Sequence, residues 1–181
     1  MNKIMGVFIL VFMVGAAPRT WCQAPRSQEQ PCPMHGSLER SESHRAMVES
    51  HSDHAMGFPH DKTAHHFRLT ENGGSIDVTA NDSKDSVNID AIRMHLAHIT
   101  KAFSEGDYSA PMLVHGTTPP GVTTMMLLNG KIRFQYLAVD GGARVSIATE
   151  DAIGRAAIHD FLRFQITDHE TGDSMDLDAG R

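Results

Sequence analysis

Residues 132–147 read IRFQYLAVDGGARVSI, and this stretch decides the fold. Ile132-Arg133-Phe134-Gln135-Tyr136 alternates apolar and polar side chains. Asp140-Gly141-Gly142 turns, and Arg144-Val145-Ser146-Ile147 alternates again. Period-two alternation on both sides of a glycine turn predicts a β-hairpin. Thr149 is placed to cap the helix that follows. Ile153, Ile158, Phe161, Leu162 and Ile166 supply that helix's apolar residues, and Gly172-Asp173 ends it.

Upstream, the same plan is written once before. His66-Phe67-Arg68-Leu69-Thr70 alternates, Glu71-Asn72-Gly73-Gly74 turns, and Ser75-Ile76-Asp77-Val78-Thr79 alternates. Asp85 can cap a helix whose apolar residues fall at Ile89, Ile92, Leu96, Ile99 and Phe103. Steps of three and four place these five on one face of an α-helix. Gly106-Asp107 ends it. A shift of 66 residues sets Ile92 on Ile158, Leu96 on Leu162 and Gly106-Asp107 on Gly172-Asp173, while the glycine pairs match at 68. The expected fold class is α+β. Duplicated β-β-α units form a four-stranded antiparallel sheet with two helices on one face. Arg68, Asp77, Arg133, Gln135 and Arg144 fall on the other, polar face, turned to solvent or to a second copy in a homodimer.

Between the units, residues 108–130 read as a linker. Pro111 and Pro119-Pro120-Gly121 break regular structure there. Pro120 is placed to start a short helix through Met125, Met126 and Leu127, and Asn129-Gly130 turns into the third strand.

The chain's start has a different composition. Lys3 precedes an apolar run from Ile4 to Ala17, and Val14-Gly15-Ala16 offers small residues for cleavage. Residues 1–16 therefore read as a signal peptide, which places the protein in the periplasm or outside the cell. Residues 17–62 carry few aliphatic side chains and read as a disordered His/Met-rich tail. The α+β domain is expected over 63–175, with a short C-terminal tail over 176–181. No segment of the processed chain is apolar enough to span a membrane. A net charge of −6 argues against nucleic acid as the main partner. Cys22 and Cys32 are the two cysteines, open to a local disulfide or to a metal role.

Seven of the twelve histidines lie between His35 and His66. Imidazole, thioether and thiolate are the donors that hold soft and borderline transition metals. Cys32-Pro33-Met34-His35 packs three of them into four residues. His51, His54, Met56, His65 and His66 follow. Inside the domain, His95 and His98 stand one helical turn apart with Met94 close by, and the repeat sets them on Phe161 and Phe164. His115 sits in the linker between the units. For each group two readings stand: ligands to copper or zinc, or histidines satisfied by the fold or by solvent. His169, in the last turn of the second helix, fits a favourable meeting with the helix dipole.

Met56-Gly57-Phe58, His65-His66-Phe67, His95-Leu96-Ala97-His98-Ile99, Pro119-Pro120-Gly121 and AIHDFLRFQITDHETGD over 157–173 together resemble a family of small exported bacterial proteins common in acidobacterial genomes. The resemblance covers residues 56–173 and implies an exported domain of that extent. Members are often called aspartate carbamoyltransferases. This chain lacks the Ser-Thr-Arg-Thr phosphate motif of those enzymes and is too short for their two-domain architecture. Cys32-Pro33-Met34-His35 is also similar to the opening of heavy-metal-binding domains in copper efflux systems, without their second cysteine pair.

No nucleophile elbow, phosphate loop, dinucleotide fingerprint or His-Glu-x-x-His motif is present, and no catalytic residue is assigned. The expected function is an exported transition-metal binder, copper first, for buffering or delivery. The other readings are a dimerising interaction module and a zinc-dependent hydrolase built on His95, His98 and His115.

Overall fold

The computed structural model describes residues 33–178, without the side chains of 33–41, 49 and 54. The expectations for the signal peptide, Cys22 and Cys32 lie outside these residues, as do those for the side chains of Met34, His35 and His54. The sheet has four antiparallel strands in the order β1-β2-β4-β3, with β1 Thr63–Thr70, β2 Gly73–Ala80, β3 Ile132–Val139 and β4 Gly142–Thr149. Helices α2 (Ser86–Ser104) and α5 (Ala152–Asp168) share one face of it. The α+β fold with duplicated units is thus the observed one.

Alternation sends Phe67, Leu69, Ile76, Val78, Val145 and Ile147 to the helix side, where all are buried. The helices meet them with Ile92, Leu96, Ile99 and Phe103 from α2, and with Ile158, Phe161, Leu162 and Ile166 from α5. The Phe103 ring stacks on Tyr108 at 4.5 Å and meets Phe161 edge-on at 6.1 Å. Asp85 caps α2 by accepting from the Asn88 N–H. Two expected details differ. Asp151 caps α5 by accepting from the N–H groups of Ile153 and Gly154, because Thr149 is still paired in β4 and gives its hydroxyl to the Lys131 carbonyl. Ile153 then falls outside the buried stripe and is exposed.

The two units are joined crosswise. Helix α2, which follows the first hairpin, lies mainly against β3 and β4, and α5 lies mainly against β1 and β2. Strands match their counterparts at a shift of 69 residues, so the length difference from the helices is three residues and not the expected two. Ile76 pairs with Val145, its own counterpart, at the centre of the sheet. Gly73 and Gly142 sit symmetrically about that point. A Cβ on Gly73 would strike the Ile147 carbonyl oxygen, and one on Gly142 would strike the Val78 carbonyl oxygen. The close approach of β2 and β4 therefore requires both glycines.

On the open face the central charge is met within the chain. Asp77 is buried, accepting from Arg144 and from the Ser75 hydroxyl, with Arg68 3.7 Å away. At the edge of the sheet, Leu177 bridges Leu69 in parallel and the Asp178 N–H donates to the Leu69 carbonyl, so the chain stays ordered past 175.

Residues 33–56, expected to be disordered, form helix α1 (Pro33–Met56). Its apolar content is too low for the amphipathic pattern to show. One face, built from His44, Val48, Ser52 and Met56 at four-residue steps, nonetheless meets the domain. Val48 and Ser52 are buried. His44 reaches Asp168 at 2.9 Å, Arg45 reaches Glu170 at 2.9 Å and the His51 ring reaches the Leu113 carbonyl at 3.1 Å. Tertiary polar contacts, not intrinsic helix propensity, hold this segment. The linker is also more regular than expected. Pro111 lies in the first turn of α3 (Ser109–His115), where its missing N–H breaks no helical hydrogen bond. Helix α4 (Val122–Leu127) follows Pro120 as expected. Among the described residues no helix is long and apolar enough to cross a membrane.

Candidate functional site

Five elements converge at one end of the core. Helix α1 brings Ser52 and Met56, β1 brings His65, α2 brings His95, α3 brings His115, and the end of α5 brings Gln165 and His169. They line a cavity of about 80 Å³ whose remaining wall is apolar, with Phe67, Ile99, Phe103 and Phe161 among its residues. Beside it runs a more polar groove of about 300 Å³ between α1 and the end of α5, which shares Ser52, Met56, His65 and His169.

The reason each side chain arrives here is local. On β1, alternation turns His65 inward and His66 outward, where the His66 ring meets Asp173 at 2.9 Å. On α2, His95 lies beside the buried stripe, one step from Leu96 and four from Ile99, and Phe58 packs edge-on against its ring at 5.7 Å. His98 is three residues on, around the helix, and is exposed, as is Met94. His95 and His98 therefore do not act as a pair. His169 caps α5 and stacks on His65 at 6.0 Å, with Phe67 at 5.7 Å and His115 at 5.0 Å.

Three of these imidazoles are held neutral. Burial, reinforced by the neighbouring histidines, pushes His65 down to about 3. Burial and then His98 push His95 down to about 4. Burial and then His115 push His169 down to about 4, against an opposing pull from Asp168. A neutral imidazole keeps a lone pair in the plane of its ring. The His65 Nε2 lies 3.3 Å from the Met56 sulfur. The rings of His95 and His169 make aromatic contacts and, among the described residues, no hydrogen bond.

His115 is committed elsewhere. It is buried, its Nδ1 lies 2.6 Å from Asp168 Oδ2, and its Nε2 lies 3.1 Å from Gln165 Oε1. Asp168 receives His44 on its other oxygen at 2.9 Å. Burial opposes ionisation of Asp168, yet the two histidine hydrogen bonds outweigh it and hold the carboxyl below its ordinary value. This carboxylate ties α1, α3 and α5 together at the rim of the cavity.

The sequence-derived ligand set thus divides. Met56, His65, His95 and His115 meet around the cavity. Met94 and His98 face solvent, His51 is used by the Leu113 carbonyl, and His66 is used by Asp173 on the opposite side of β1. The arrangement needed for a zinc hydrolase, with His95, His98 and His115 converging, is absent. Among the described residues no three His, Cys, Asp or Glu side chains are grouped so that they could hold a metal ion. The sequence reading missed His169, Asp168, Gln165 and Ser52 as parts of the site. The internal repeat held a signal for the first, because the 66-residue shift sets His169 on Phe103, a buried aromatic.

No protein-family model, curated protein or solved structure matches the chain.

Proposed function

We propose that this protein is an exported binder of a soft transition-metal ion, copper(I) first, for buffering or delivery. The ion enters beside Met56 and His65, and His95 and His169 close around it. The observation that carries this reading is the meeting of one thioether and three neutral imidazoles at one end of the core, with two of the imidazoles free of hydrogen bonds. A thioether and an imidazole sharing one tetrahedral ion stand about 3.5 Å apart, from bond lengths of about 2.3 and 2.0 Å. Met56 and His65 stand 3.3 Å apart. Thioether ligation favours copper(I) over zinc. Neutral donors also bind without first losing a proton, so affinity should be nearly flat from pH 6 to 8. Cys32, Met34 and His35 belong to this proposal as a capture site.

The test is an anaerobic competition titration of the full chain with copper(I) against a chromophoric chelator, run beside copper(II) and zinc. Met56→Leu and His65→Leu should each weaken copper(I) binding at least tenfold, with His98→Ala as an unaffected control. A variant lacking Cys32, Met34 and His35 separates tail capture from the cavity. If Met56→Leu and His65→Leu bind copper(I) as tightly as the parent chain, the cavity is not the site.

A further inference from the structure

The two edges of the sheet are treated differently. Along β1 the outward backbone groups are taken up by residues 173–178. The Phe67 N–H donates to Asp173, and the Leu69 carbonyl receives the Asp178 N–H beside the Leu69–Leu177 bridge. At the other edge, among the described residues, β3 pairs with β4 alone. Its outward groups follow from the ladder, because bonded and non-bonded pairs alternate along antiparallel strands. The Thr149 N–H donates to the Asn72 carbonyl and the Ala80 N–H to the Gly141 carbonyl. Odd-numbered residues of β4 therefore bond to β2, and even-numbered ones bond to β3. Gly142, Arg144, Ser146 and Ala148 stand opposite Val139, Leu137, Gln135 and Arg133. The N–H and C=O groups of Phe134, Tyr136 and Ala138 are left pointing out of the sheet.

An exposed strand edge is ordinarily blunted by charges, proline or a bulge, because it is a template for another strand. Strand β3 carries no proline, its register with β4 is unbroken, and Arg133 is its single charge. Ile132, Phe134, Tyr136 and Val139 are residues that favour strands. Leu137 stands 50% exposed on the open face. Arg133 near the start of the strand and Asp140 just past its end make no ion pair among the described residues.

We infer that the edge of β3 docks the β3 of a second copy of this chain, antiparallel, about a twofold axis at Tyr136. This register uses every outward group. Tyr136 stands opposite its own counterpart, and Phe134 and Ala138 stand opposite each other on both sides of the axis. On the open face Gln135 then faces Leu137 of the second copy, and Arg133 faces Val139, so no like charges oppose. Antiparallel pairing also brings Arg133 beside Asp140 of the second copy, twice by symmetry. The occupant is one further copy and not an open-ended stack. Joining β3 to β3 leaves only β1 at each margin, and segment 173–178 already covers it, so the interface closes on itself. The second copy is met at this edge and not across the polar face, whose buried Asp77 is answered within the chain. No residue of β3 lines the cavity, so the dimer and the metal reading are judged separately.

The test is sedimentation of the full chain over a hundredfold range of concentration. Its mass should rise to twice that of one chain. Ala138→Pro removes an outward donor and sets a ring on the edge without touching the ladder to β4. It should raise the dimer dissociation constant at least tenfold. Should Ala138→Pro disturb the fold by circular dichroism, two double variants at exposed positions carry the comparison. Gln135→Lys with Leu137→Lys sets like charges face to face in the proposed register and should weaken the dimer at least tenfold. Gln135→Glu with Leu137→Lys sets opposite charges face to face and should bind at least as tightly as the parent chain. A single chain at every concentration would overturn the assignment. So would a dimer as tight in a folded Ala138→Pro as in the parent, or equal behaviour of the two double variants.

Discussion

Acid should unfold this protein from the site outward, well above the pH at which carboxylates protonate. His65, His95 and His169 are held at about 3, 4 and 4 in the folded chain, against about 6.5 when unfolded. The unfolded state therefore takes up protons below pH 6.5 that the folded state refuses. Stability is whole above that value, falls as pH drops through it, and stops falling on this account only once pH passes about 4 for His95 and His169 and about 3 for His65. Between pH 7 and 5 each histidine removes about 2 kcal/mol, and the three together about 6. A domain of this size has roughly 5–15 kcal/mol to lose. Asp168 and Asp173, whose carboxyls sit below their ordinary values, lose their contribution only under pH 4 and do not blur this window. Urea unfolding at half-unit steps from pH 7.5 to 4.5 should give a slope approaching three protons near pH 5. His95→Phe, which installs the residue found at the equivalent place in the second unit, should remove one of the three protons. It should also raise stability at pH 5 by about 2 kcal/mol relative to the parent. A slope below one proton between pH 6.5 and 5, or no change of slope in His95→Phe, would refute the claim that burial keeps these rings neutral.

Three other outcomes follow from the packing. Asp168→Asn loses the charge that receives His44 and His115, and should lower stability by about 2 kcal/mol. Hydrogen exchange should show residues 42–56 opening before the sheet in that variant. Gly142→Ala drives a methyl into the Val78 carbonyl, so thermal unfolding should register a loss of about 2 kcal/mol or more, with Gly73→Ala losing at least as much because its φ of +148° adds backbone strain to the clash. Phe161→Ala empties the junction of α5 with Phe103 and Tyr108 and should lower denaturant stability by about 4 kcal/mol.

The parts of the fold that announce themselves in the sequence are those where one periodicity runs unopposed. The stripes of α2 and α5 and the glycine turns of both hairpins are such cases. Helix α1 does not announce itself, because polar His44 and Ser52 alternate with Val48 and Met56 along its contact face. What stabilises it is His44 on Asp168 and His51 on the Leu113 carbonyl, pairings made across long stretches of chain. The site follows the same rule. His95 is visible because its repeat counterpart Phe161 is apolar. His65 and His66 cannot be told apart until the sheet fixes which of two adjacent residues points inward. His169 looked sufficient as a helix-end charge, yet the turn it occupies folds over His65 and Phe67 and strips its water. Sequence density put most of the metal reading on residues 35–66, while the cavity draws its histidines from four elements.

The crosswise placement of α2 and α5 has a consequence for how the chain can be divided. Each hairpin is roofed by the helix that the other half supplies, so neither half owns a complete interior. Severed at the exposed Thr117-Thr118 bond, the pieces should stay bound, and made separately they should be insoluble alone and recover together on mixing. In that sense the molecule is two interlocked protomers that happen to share one backbone.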